Sequence, residues 1–166
     1  SFQSGQTYQL QYHGLKDEAG NAATDSAISF TYYPVSSGNE NDIVISEIYF
    51  EPLSTSRLPD AEYIELYNRS SSAVDLDQWI ISDGSNDGII PSCKLLPGKY
   101  VVLHSSNTST EFSAIDNAIA VTSFPSLNND VGDKLLLKNV AGQKINAVAF
   151  SDESYHSTEK KNGGWS

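Results

Sequence analysis

Between Asp42 and Asp83 apolar and polar residues alternate with a period of two, through three runs separated by turn-forming residues. That period puts successive side chains on opposite faces of an extended strand, and it does not gather the apolar residues onto one helical stripe. The runs cover residues 42–50, 60–68 and 74–83, and each is expected to form one strand. In the first, Ile43, Ile45, Glu47 and Tyr49 share one face and Val44, Ser46, Ile48 and Phe50 the other, so both faces are expected to be largely apolar and covered. In the second, Ile64 and Leu66 point one way and Tyr63, Glu65 and Tyr67 the other. Trp79, at the end of an apolar run, is expected to plug the core.

The rest of the chain carries signals of the same kind. Residues 7–33 read as a hairpin: Tyr8, Leu10 and Tyr12 alternate with Gln9 and Gln11, and Ile28, Phe30 and Tyr32 alternate with Ser29, Thr31 and Tyr33. A lone hairpin leaves one face with nothing to bury against, so it is expected either to dock on the remaining chain or to self-associate with another copy. Residues 34–41 are polar, contain Pro34 and Gly38 and lack periodicity, which marks a linker. Beyond the three opening runs, Ile89 and Ile90 begin an apolar piece broken by Pro91, and residues 95–104 form a strand after the Pro97-Gly98 turn. One helical turn is expected at 111–115, a short strand within 118–124, and a closing hairpin from 134–138 and 143–150. Residues 151–166 show no strand pattern. Short strands, frequent turns and almost no helix predict an all-β sandwich or barrel.

Three of these pieces resemble the opening of the lamin tail domain, an immunoglobulin-like β-sandwich found in nuclear lamins and in secreted bacterial proteins. They are Ile45-Ser46-Glu47-Ile48, Glu62-Tyr63-Ile64-Glu65-Leu66-Tyr67-Asn68 and Val74-Asp75-Leu76-Asp77-Gln78-Trp79. Residues 96–103, residues 127–137, the hairpin from Lys138 to Phe150 with its Ala141-Gly142 turn, and Trp165 beside Gly163-Gly164 continue the match. Separately, Gly14-Leu15-Lys16-Asp17-Glu18-Ala19-Gly20-Asn21 resembles the turn in the last hairpin of a bacterial immunoglobulin-like domain. These resemblances imply three parts: 1–33, the closing hairpin of a truncated immunoglobulin-like domain; 34–41, a linker; and 42–166, a lamin tail domain. They imply a non-catalytic interaction, targeting or structural module of a secreted or cell-surface bacterial protein, in the extracellular space or cell envelope, with a protein or glycan partner. A carbohydrate-binding module is the alternative, and an accessory part of a hydrolase active site a more distant one.

Charge narrows the partners. A net charge of -11 argues against nucleic acid, because phosphate binding needs clustered Lys and Arg to release counterions, and it disfavours anionic membrane surfaces for the same reason. No apolar run is long enough to insert as a membrane-spanning helix. With no methionine and Ser1 in first place, the chain reads as a fragment or a matured piece. Cys93 is the single cysteine, so no intrachain disulfide forms; at an apolar strand edge without a basic neighbour it reads as a small core residue.

Few residue groups could carry chemistry. Glu47, Glu62 and Glu65 lie in the family-like strands, where paired carboxylates can act as acid and base. Without a nearby His, Lys or Arg motif they read instead as acceptors of hydrogen bonds within the sheet. No catalytic residue is assigned. Acidic loops offer weak calcium candidates in Asp83, Asp87, Asp130 and Asp133, although Asp and Asn are also what turns require, and no other cofactor is expected. The histidines His13, His104 and His156 are scattered and lack zinc spacing. Tyr32, Tyr33, Tyr49, Tyr63, Tyr67, Tyr100 and Tyr155 could line a sugar-stacking face or pack between strands. Asn68-Arg69-Ser70 and Asn107-Thr108-Ser109 fit the N-glycosylation acceptor pattern.

Overall fold

A computed structural model describes residues 1–128 and 132–156 and divides the chain into two compact units, Ser1–Pro34 and Val35–Ser166. In the first unit, strands β1 (Thr7–Tyr12) and β2 (Ser26–Thr31) pair antiparallel, with Tyr8 opposite Phe30 and Leu10 opposite Ile28. Phe2 packs edge-on against Tyr8 and Phe30, at 4.6 and 5.6 Å between ring centroids. Leu10 and Ile28, directly opposite one another, are more than half exposed. The connecting loop is tied by its carboxylates. Asp17 accepts the Asn21 side-chain amide at 2.9 Å and the Asn21 backbone N–H at 2.8 Å, and these bonds hold its carboxyl below the usual range. Asp25 is lowered by the Gly14 N–H first and by His13 second.

Among the described residues the second unit contains eleven strands in three sheets: β3 (Val35–Ser36), β4 (Ile43–Tyr49), β5 (Tyr63–Asn68), β6 (Ala73–Asp75), β7 (Ile80–Ser82), β8 (Asp87–Ile89), β9 (Lys94–Leu95), β10 (Tyr100–Ser105), β11 (Ala118–Val121), β12 (Asp133–Lys138) and β13 (Lys144–Phe150). One sheet has the order β11-β10-β5-β4, the second β13-β12-β7-β8, and a small third sheet β3-β6-β9. The inward side chains meet in one core, with Ile43, Ile64, Leu66 and Leu103 from the first sheet, Ile81, Leu135, Leu137 and Ile145 from the second, and Trp79 between. A second, smaller cluster of Tyr49, Ala61, Tyr63, Val102 and Phe112 lies on the opposite face of the first sheet. The nearly all-β sandwich matches the fold expected from the sequence.

Four local expectations need correction. The first strand does not alternate throughout, because its pairing with β5 shifts between Ile45 and Glu47 at a β-bulge. One extra residue at Ser46 moves Ile48 and Phe50 onto the core face with Ile43 and Ile45, and leaves Glu47 and Tyr49 on the other. The run 74–83 is two strands in different sheets. The break is a tight turn in which the Asp75 carboxylate accepts the Asp77 N–H, Gln78 adopts φ 62°, and Trp79 donates its N–H to the Leu76 carbonyl. Likewise 95–104 splits into β9 and β10, which belong to different sheets. The helical turn falls at Ser106–Thr108, where the Ser105 hydroxyl caps the Asn107 N–H, and a second forms at Asp152–Tyr155.

Residues 35–41, expected as linker, are built into the second unit. Val35–Ser36 pairs in parallel with Ala73 and Val74. Gly38 then passes directly over the buried Trp79 ring, Asn39 turns onto the Asp42 carboxylate, and the Asn41 N–H reaches the Ile145 carbonyl at 2.7 Å. The same segment joins the β4 and β13 edges. Asn146 Oδ1 accepts the Ile45 N–H at 3.1 Å while its Nδ2 donates to Asn41 Oδ1 at 2.9 Å, which occupies edge groups that would otherwise be free.

Candidate functional site

The outward face of the β11-β10-β5-β4 sheet gathers most of the residues singled out in the sequence. Alternation along β5 and β10 brings Tyr63, Glu65 and Tyr67 beside Tyr100, Val102 and His104. At one end the Tyr67 and Tyr100 rings stack at 4.5 Å, with Tyr100 nearly half exposed. At the other, His104 stacks on Phe112 at 4.2 Å, its Nδ1 2.8 Å from the Ser105 carbonyl. The Tyr49 hydroxyl accepts the Leu53 N–H and contacts Ser56 Oγ, which anchors the loop after β4 over this end.

The bulge places Glu47 opposite Glu65 in the middle of the same face. Both carboxylates are engaged. Glu65 Oε1 accepts the Ser46 hydroxyl at 2.8 Å, and Glu47 Oε1 accepts the Tyr63 hydroxyl. Glu62 is not brought to them. Its Oε2 accepts the Leu127 N–H at 3.4 Å, and burial pushes its carboxyl up, with that N–H pulling weakly the other way. The three glutamates therefore hold the sheet and its neighbouring loop rather than converge on one point.

The loop acids divide similarly. Asp83 Oδ1 accepts the Ser85 and Asn86 N–H groups, both at 2.7 Å, and Asp133 accepts the Asn128 N–H and Nδ2 as well as the Lys134 N–H. Both line one open depression of about 530 Å³ with Lys134. Asp87 begins β8 opposite Ser82. Asp130, Trp165 and the side chain of Tyr155 lie outside the described residues. Among the described residues no three His, Cys, Asp or Glu side chains are grouped to hold a metal ion.

The tyrosines do not form one face. Tyr49 and Tyr63 are buried, Tyr32 and Tyr33 belong to the first unit, and Tyr67 with Tyr100 make the accessible pair. His13 contacts Asp25 in the hairpin loop and His156 ends the last helical turn, so neither lies in the His104–Phe112 stack. Asn68 is fully buried, with Nδ2 donating to the Ser72 and Leu95 carbonyls at 2.9 and 2.8 Å, so its glycosylation pattern is occupied by structural bonds. Cys93 is half-buried against the main core; burial raises its thiol pKa, and Asp75 adds to the effect.

Sequence reading missed a groove. A cavity of about 610 Å³ runs between the β9 segment and the β11 edge, lined by Cys93, Leu95, Ile119, Lys94, Lys99 and Asp116 among others. Its one legible signal is the uncharged run Ala118-Ile119-Ala120-Val121, which a reading of the sequence alone cannot place at a sheet edge.

Two packed sheets with short strands, joined across a Trp-centred core, define an immunoglobulin-like β-sandwich with polar and aromatic outer surfaces. The lamin tail domain family model matches residues 36–152, and the chain belongs to that family. The family is one of non-catalytic immunoglobulin-like domains. No curated protein matches the chain in sequence.

Proposed function

We propose that the chain is a non-catalytic binding module of a secreted or cell-surface bacterial protein, which spaces, anchors or presents a neighbouring domain to a protein or glycan partner. The observation that carries this reading is the commitment of Glu47 and Glu65 to the Tyr63 and Ser46 hydroxyls. A carboxylate acting as acid or base must face a substrate proton, whereas these two fasten adjacent strands. The strongly acidic surface supports an extracellular setting and disfavours nucleic acid and anionic membranes. The exposed Leu10–Ile28 pair supports self-association through the hairpin as an additional contact.

The test is capture. The full chain, immobilised, should bind a cell-surface protein or glycan saturably, and a Glu65→Gln variant that remains folded should bind equally well. Turnover of a glycoside or ester substrate that vanishes in folded Glu47→Gln or Glu65→Gln would overturn the reading.

Carbohydrate binding is a second reading, favoured by the Tyr67–Tyr100 stack, since an accessible ring pair can receive the apolar face of a sugar. Oligosaccharide titration should then shift the ring resonances of both residues, and Tyr100→Ala should abolish the shift.

A further inference from the structure

The β11 edge is open and formed to receive another strand. β11 lies last in its sheet and runs parallel to β10, with Val102 opposite Ala118, Leu103 opposite Ile119 and His104 opposite Ala120. Val102 donates its N–H to the Asn117 carbonyl at 2.9 Å. In a parallel ladder, residues that turn their backbone groups toward a given neighbour recur every second position. Asn117 and Ile119 therefore face β10, and Ala118 and Ala120 face outward. The Ala118 N–H is spent on the Ile115 carbonyl, which leaves the Ala118 C=O and both backbone groups of Ala120 on the edge. Thr122, the next outward position, already forms an antiparallel bridge to Ile89. This edge thus pairs with extended chain where chain is present, and Ala120 is exposed.

Its composition does nothing to prevent pairing. Ala118-Ile119-Ala120-Val121 has neither charge nor proline, the usual blocks on an edge strand. By contrast the β4 and β13 edges are bridged by Asn41 and Asn146, and β3 and β9 are two residues long. Beside the open edge lies the groove floored by Cys93, Leu95 and Ile119. Lys94 and Lys99 are exposed along it with Asp116, and neither lysine is ion-paired among the described residues. Two ammonium groups stand here against two carboxylates, Asp116 in the lining and Asp75 opposite Lys94 across the β6–β9 pair, so the groove is close to neutral on a chain of net charge -11.

We propose that β11 binds an extended peptide segment by strand addition, with backbone bonds to Ala118 and Ala120, an apolar side chain in the groove and a carboxylate beside Lys94 and Lys99. The peptide's main chain supplies attraction and the alternate side chains supply selectivity. This inference rests on the binding-module reading and names its site and partner chemistry.

The probe is an acetylated, amidated hexapeptide, Val-Thr-Asp-Thr-Val-Thr, whose valines and aspartate share one face of the extended chain, titrated into the full isotope-labelled protein. Resonances of Ala118, Ala120, Cys93 and Leu95 should shift together, amide exchange at Ala120 should slow, and alkylation of Cys93 should slow in proportion to occupancy. N-methylation of alternate peptide amides should abolish binding in one phase and spare it in the other, because only one set of N–H groups faces the edge. Lys94→Glu with Lys99→Glu, both at exposed positions, should weaken binding by at least about tenfold. Absence of binding at about 1 mM peptide, shifts confined to other surfaces, or equal binding of both N-methylated forms would overturn the proposal. So would an oligosaccharide that fills the groove while the peptide does not. If the chain still captures a partner saturably in the preceding assay, the edge proposal alone has failed; if it captures nothing, the binding-module reading has failed.

Discussion

Gly38→Ala should be among the more damaging single-methyl additions to the second unit, although it lies in a stretch that reads as a linker. A Cβ built at this position would lie 2.7 Å from Trp79 Cη2 and 3.0 Å from Cζ2. Trp79 is 1% exposed and surrounded by the main core, so its ring cannot swing into solvent to make room. Gly38 also holds φ 75°, in the left-handed region that costs an L-residue about 1–2 kcal/mol. Overpacking adds about 1–3 kcal/mol, for a total of about 2–5 kcal/mol. Gly142→Ala separates the two contributions. Gly142 has nearly the same φ, 74°, but nothing lies within 4 Å of its Cβ position, so only the backbone cost of about 1–2 kcal/mol applies. Urea unfolding followed by far-ultraviolet circular dichroism would give both midpoints, with unchanged slopes confirming a common transition. Equal destabilisation by the two substitutions would refute the packing of residues 35–41 onto the core.

Asn68→Ala should cost about 2–4 kcal/mol, because it removes the buried amide donor to the Leu95 carbonyl, leaves the Ser72 carbonyl with the Ser70 hydroxyl alone, and takes away the acceptor of the Ser70 N–H; a midpoint within error of the parent would show that these bonds contribute nothing net. Glu62→Gln should stabilise the chain at neutral pH. Its carboxyl pKa is raised on folding, so the folded state holds the proton more tightly, and stability falls as pH rises from the unfolded through the folded pKa. The gain should disappear in acid, where parent and variant are both neutral, and a gain independent of pH would contradict this assignment. Cys93, whose thiol is raised by burial and then by Asp75, should alkylate more slowly than a free cysteine peptide at the same pH, and Asp75→Asn should narrow the gap. An equal rate for protein and peptide would contradict the burial.

Most of the strand content was legible because alternation reports burial directly. Ile64 and Leu66 point inward and Tyr63, Glu65 and Tyr67 outward, as period two requires. What alternation cannot report is a change of register within a strand. Ser46 is an unremarkable residue in the run, yet the bulge there reverses every side chain after it, and so places Glu47 rather than Ile48 beside Tyr63. Nor does an unbroken alternating run reveal that the chain leaves one sheet for another. The Leu76–Trp79 turn interrupts such a run without a glycine or proline, using Asp75 as the local acceptor and Gln78 at positive φ. The apparent linker failed as an expectation for the converse reason. Its polar residues Asn39 and Asn41 bond Asp42, Ile145 and Asn146 of the domain instead of water.

The candidate surfaces were less legible than the fold because their properties belong to neighbouring strands rather than to any one segment. Tyr67 and Tyr100 are thirty-three positions apart, and their stacking follows only from the register of β5 with β10. Ala118-Ile119-Ala120-Val121 would be an ordinary buried strand between two partners. Its significance comes from a parallel pairing that turns Ala118 and Ala120 outward, and from the placement of Lys94 and Lys99 along the adjoining groove. The same physics that tied off the β4 and β13 edges, a side-chain amide satisfying backbone groups, is available to this chain and, among the described residues, is not used on the outer side of β11. An edge left open in a domain that closes a comparable one is where selection for binding and selection against aggregation oppose each other. Asparagine substituted at the exposed Ala120 would leave the backbone donors in place, whereas proline would remove the N–H at that position. Retention of peptide binding by Ala120→Asn and its loss in a folded Ala120→Pro would therefore distinguish strand addition from a merely sticky patch.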